Sequence, residues 1–168
     1  MVEVKGDGKI NHILKINYEN TAKSSNWPAG DYKNYLRVVV PQNTKIEQIF
    51  IIDPQEKKKT TLDLEKIDQE KIEDKQSFGF LVDVPIDSRM SVEINYSQTT
   101  NLGNGVWRWF LYWQKQPGFG STPVTLLVSY PDQFKPLQVN PQATLTPQGI
   151  IFNQALEKDL LFGLELGQ

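Results

Sequence analysis

The chain has 168 residues, with 18 Lys and Arg against 20 Asp and Glu and a formal net charge of −2. That balance leaves no chain-wide positive field for a nucleic acid or an anionic membrane, while 39% hydrophobic and 11% aromatic residues suffice for a core and argue against disorder. Zero Cys and the single histidine, His12, exclude disulfides, thiol nucleophiles, Cys-type zinc sites and multi-histidine metal centres.

In chain order, residues 1–9 read as a polar, glycine-containing lead without the apolar segment of a signal peptide. No stretch of the chain approaches the roughly 18 apolar residues that span a bilayer, so no membrane insertion by this segment is expected. From residue 10 onward the hydrophobic pattern has period two, the mark of half-buried strands, and helical periodicity is nearly absent. Ile10, His12, Leu14, Ile16 and Tyr18 share one face of a first strand. After the loop around Trp27-Pro28, Leu36, Val38 and Val40 mark a second, closed by Pro41; residues 46–52 form a third, stopped by Asp53-Pro54.

Residues 55–76, QEKKKTTLDLEKIDQEKIEDKQ, mix both charge signs and read as a solvated insertion or arm. Alternation resumes in Phe78, Phe80, Val82 and Val84, and again in Val92, Ile94 and Tyr96. The Asn104-Gly105 pair predicts a tight hairpin turn. The next segment, residues 106–116, carries Trp107, Trp109, Leu111 and Trp113 on one face and Arg108, Phe110, Tyr112 and Gln114 on the other. Large apolar groups on both faces predict a central strand covered on both sides. Val124, Leu126, Val128 and Tyr130 mark the next strand, a Pro-containing meander covers 134–147, and strands follow at 149–152 and 159–166. Some nine or ten strands with regular turn signals predict an all-β fold: a two-sheet antiparallel sandwich of immunoglobulin-like or jelly-roll type, one domain over residues 10–168, with no internal repeat visible.

Motifs for nucleotide binding, for the nucleophile elbow of hydrolases and for a calcium loop are absent, and no carboxylate pair with catalytic spacing stands out; no catalytic residue, metal site or cofactor is expected. His12, between Ile10 and Leu14, reads as a packed, hydrogen-bonded core imidazole. The one distinctive constellation is the aromatic segment 106–113. Trp107 and Trp109 stand about 7 Å apart along a strand, and with Trp113 and nearby Tyr112 they would form a platform for sugar rings if exposed, or core if covered. Coverage is the expected outcome, because a solvated row of indoles is a large apolar patch. The following Gln114-Lys115-Gln116-Pro117-Gly118 reads as a structural turn.

Two segments carry a family likeness. Gly30-Asp31-Tyr32-Lys33-Asn34-Tyr35-Leu36-Arg37-Val38-Val39-Val40-Pro41 and Gln114-Lys115-Gln116-Pro117-Gly118, with Val84-Pro85 between them and Phe152-Asn153, Leu156, Asp159 and Phe162 after them, resemble the C-terminal β-rich region of large bacterial envelope proteins that carry the domain of unknown function 4012. The resemblance implies an extracytoplasmic, cell-surface protein tethered through a segment upstream of this one, and it implies no activity. The Trp107/Trp109 pair and the charged run depart from the family pattern. The sequence thus points to a non-catalytic scaffold, spacer or protein-interaction module whose partners are other domains of its parent protein or cell-surface proteins. A carbohydrate-binding module, taking glycans on the Trp row, is the alternative.

Overall fold

The computed structural model describes every residue except Gly103, Asn104, Pro117, Phe119 and Gln168. The described residues are all-β, with one short 3-10 turn at Leu64–Lys66. They separate into two compact units, 1–11 with 99–168 (unit 1) and 12–98 (unit 2), each with its own hydrophobic cluster, where the length suggested one core. The hairpin turn read at Asn104-Gly105 lies partly outside the described residues, as does Pro117 of the later turn.

Unit 2 is built from β2 (Lys9–Asn20, from His12 onward), β3 (Tyr32–Pro41), β4 (Lys45–Asp53), β5 (Lys58–Thr61), β6 (Asp68–Ile72), β7 (Lys75–Val84) and β8 (Ser88–Thr99). One sheet has the order β2-β8-β4-β5 and the other β3-β7-β6. Leu36, Val40, Phe78, Phe80, Val82 and Val84 from the second sheet share a core with Ile49, Val92 and Ile94 from the first, so the unit is a two-layer sandwich. The charged run, expected as an insertion or arm, is instead part of this framework. It supplies β5 and β6, an edge strand for each sheet, and Ile67 between them is buried in the core. Its charge is what an edge needs, because lysines and acids discourage further strand pairing.

Unit 1 begins with β1 (Val2–Val4), which turns at residues 5–9 into the first residues of β2 through hydrogen bonds between Lys5 and Lys9 and between Gly8 and Lys5. Residues 1–9 are therefore not merely a polar lead: Val2 and Val4 are buried, and β1 runs parallel to β10 (Thr122–Ser129). The remaining strands are β9 (Val106–Trp113), β11 (Lys135–Asn140), β12 (Thr144–Thr146), β13 (Gly149–Leu156) and β14 (Leu160–Gly167). The proline-containing meander at 134–147 thus holds two strands. Pro136 is accommodated because β11 is an edge strand, bonded only to β14 and bulged between Pro136 and Gln138. One sheet runs β12-β13-β10-β1, the other β11-β14-β9. Val124, Leu126, Val128, Ile150 and Phe152 face Trp107, Trp109, Phe162, Leu164 and Leu166 across the core, and Phe152 meets Phe162 edge-on at 5.3 Å.

Taken in chain order, the two sets of strands are connected alike. In β2 to β8 the first strand neighbours the last and the last neighbours the third; the second neighbours the penultimate, which neighbours the one before it. In β9 to β14 the same rule gives β9-β14-β11 and β10-β13-β12. The chain therefore repeats one sandwich topology, with β5 added in unit 2 and β1 added in unit 1. Sequence inspection showed no repeat, since each strand position requires only alternation and not particular residues.

Candidate functional site

The structure separates the two faces of β9. Trp107 and Trp109 are 6% and 7% exposed and belong to the core of unit 1, against which Leu111 and half-buried Trp113 also pack. The indole row is therefore core and not an open platform, the alternative expected from the area such rings bury. Tyr112, grouped with the indoles in the sequence, lies on the opposite face and is 60% exposed, next to Phe110 at 62%. β9 is not the central, doubly covered strand expected. Among the described residues it is an edge strand paired with β14 alone, and its outer aromatics remain on the surface.

Four features hold that outer face in place. Gly163 of β14 stands opposite Phe110, and the ring covers it: a Cβ at Gly163 would meet Phe110 Cε1 at 3.3 Å and Cδ1 at 3.4 Å. Leu137 of β11 covers Gly167 in the same way, its Cδ1 2.9 Å from where a Cβ would stand. The Tyr112 hydroxyl donates to Asp159, whose other oxygen accepts the Lys115 amide at 2.8 Å. The carboxylate raises the Tyr112 phenol above its ordinary pKa, and the bonds from Tyr112 and the Lys115 amide lower that of Asp159. Arg108 lies directly opposite Glu165, and its Nε donates to Glu165 Oε1 at 2.6 Å. Of the Gln114-Lys115-Gln116-Pro117-Gly118 segment, the described bonds are structural: the Lys115 amide to Asp159 and Lys115 Nζ to the Gln116 carbonyl at 2.8 Å, with Gly118 at φ 84°.

The other chemistry-bearing groups are dispersed. His12 is buried as expected and stacks on Tyr96 at 4.5 Å with rings 3° from parallel, yet its Nε2 has no hydrogen-bond partner. Burial lowers the imidazole pKa to about 4 and raises that of Tyr96 to about 12. Asp87 bonds Lys23, and Asp63 caps the 3-10 turn by accepting the Glu65 amide at 3.1 Å. No group of three or more His, Cys, Asp or Glu side chains comes together to hold a metal ion among the described residues. Nor is any helix there long and apolar enough to cross a membrane.

Phe110 and its glycine were missed in the sequence, although their faces were legible. Arg108, Phe110 and Tyr112 already alternate against the indoles, but only the pairing of β9 with β14 reveals Gly163 beneath the ring. Trp27, 93% exposed in its loop, was read as turn punctuation. No protein-family model matches the chain, and no curated protein is significantly similar to it.

Proposed function

We propose that this chain is a non-catalytic, extracytoplasmic β-module of a bacterial cell-surface protein, serving as scaffold, spacer or protein-interaction segment. The observation that carries the reading is the repetition of one sandwich topology along the chain, each copy with a separate core. Consecutive sandwiches extend a surface protein by units, and the stable part of each is its core, leaving the faces and loops free to vary. The resemblance to the region that accompanies the domain of unknown function 4012 supports the proposed surface location and the proposed upstream tether. Stability without cysteine suits such a module, because neither core depends on the redox state of its surroundings.

Proteolytic shaving of intact cells that produce the parent protein, followed by detection of this segment, tests the reading. The expected result is digestion from whole cells at the rate of a known surface protein. Protection until the cells are lysed would contradict it.

A further inference from the structure

The outer face of the β11-β14-β9 sheet has the chemistry of a sugar-binding surface. We propose that it binds neutral glycan chains, with Phe110 and Tyr112 as the stacking rings. The inference goes beyond the scaffold reading and does not depend on it.

A pyranose ring presents an apolar face of C–H groups bordered by hydroxyls, so it is matched by a flat ring with hydrogen-bonding groups at its margin. β9 supplies two such rings at alternate positions, about 7 Å apart along the strand. Both are exposed and both are held: Phe110 by the Gly163 backbone under it, Tyr112 by its bond to Asp159. Fixing the rings before a ligand arrives removes part of the ordering cost of binding. The rows beside them are polar. Exposed Gln114 follows just past the end of β9, and the Arg108–Glu165 pair, with Gln138 opposite Glu165, lies on the other side of Phe110.

Charge selects among occupants. Arg108 is matched by Glu165, and Asp159 is engaged by Tyr112 and the Lys115 amide. The donors on Asp159 are neutral, so its carboxylate keeps a negative charge that opposes an acidic glycan, and sugar hydroxyls can bond to the outer lone pairs and N–H groups of these residues. The paired charges also divide the apolar surface, with Leu161 beside Tyr112 at one end and Val106 and Leu137 at the other. A wholly apolar partner would have to desolvate that ion pair.

The test is affinity electrophoresis of the full chain in gels containing soluble β-1,3-glucan, hydroxyethylcellulose or xyloglucan, with titration of cellohexaose and chitohexaose followed by NMR. Heparin serves as the acidic control. Retardation by at least one neutral glycan, with heparin ineffective, is expected, together with shifts at β9 and β14. Phe110→Leu keeps an apolar cover on Gly163 but removes the flat ring, and should weaken binding at least tenfold with the fold retained. Tyr112→Ala should do the same, and Trp27→Ala should leave binding unchanged. Absence of binding to every neutral probe would overturn the proposal, as would affinity that persists in the Phe110→Leu and Tyr112→Ala proteins. Either result leaves the shaving experiment to judge the scaffold reading separately.

Discussion

Two sandwiches with one strand order are filled very differently. The core of unit 1 is apolar and rich in aromatics: Trp107, Trp109, Phe134, Phe152 and Phe162 lie among Val, Leu and Ile. The buried polar residues of the described chain, His12, Thr44, Ser77, Ser91 and Ser97, all fall in unit 2. So do the three buried side-chain atoms without a partner, His12 Nε2, Thr44 Oγ1 and Asn95 Oδ1. Topology is therefore set by alternation and turns, while stability is set by what the alternating positions bury. Each unpartnered buried polar atom costs about 1–3 kcal/mol, which predicts that unit 2 is the less stable half.

The largest effect should come from the best-packed ring. Phe152→Ala removes a fully buried side chain and its contact with Phe162, and should cost about 3–5 kcal/mol in urea unfolding. Exchange protection should fall in β10, β13 and β14. A loss confined to residues 12–98 would break the assignment of separate cores.

Acid should find unit 2 first. The unfolded imidazole takes up a proton below about pH 6.5, whereas folded His12 stays neutral until about pH 4. Stability is thus fully present above pH 6.5 and falls across that window by about 3 kcal/mol. The opposite limb belongs to Tyr96, which stays neutral to about pH 12 when folded but ionises from pH 10 when unfolded. His12→Phe, which keeps a ring against Tyr96, should flatten the acid limb of a urea-midpoint profile; an unchanged limb would assign it to other groups.

A smaller, stabilising change sharpens the comparison from the other side. Thr44→Val replaces a buried hydroxyl that has no partner with a methyl of similar shape and should add about 1 kcal/mol. A loss of stability would mean that this hydroxyl is satisfied. The smallest effect is expected at Trp27, where Trp27→Phe should change stability by less than about 0.5 kcal/mol. The same substitution should remove most iodide-quenchable fluorescence, since Trp107 and Trp109 are buried and Trp113 is half-buried. Substantial quenching that survives would place the indole row in water.

The same residues explain what was legible beforehand. Ile10 to Tyr18 and Phe78 to Val84 were readable because one face of each strand meets a core, while the other carries exposed residues such as Lys15, Asn17, Leu81 and Asp83. β9 misled because its outer face is also apolar, and period two says which residues share a face without saying what covers it. Val2–Val4 is too short for alternation to show, and the prolines at 136 and 141 concealed an edge strand that tolerates the first and ends before the second. The charged run concealed two more edges, whose only inward signals were Leu62, Leu64 and Ile67. At the candidate site, the aromatic segment itself was legible; the surface ring Phe110 required the partner strand to be known.

Native-state hydrogen exchange in increasing urea at pH 7 tests the difference between the units most directly. Amides of β4 and β7 should lose protection at lower urea than those of β10, β13 and β14, and the gap should widen at pH 5 as His12 begins to oppose folding. A single exchange isotherm for both groups, or earlier loss in unit 1, would contradict a stability difference set by buried polar atoms.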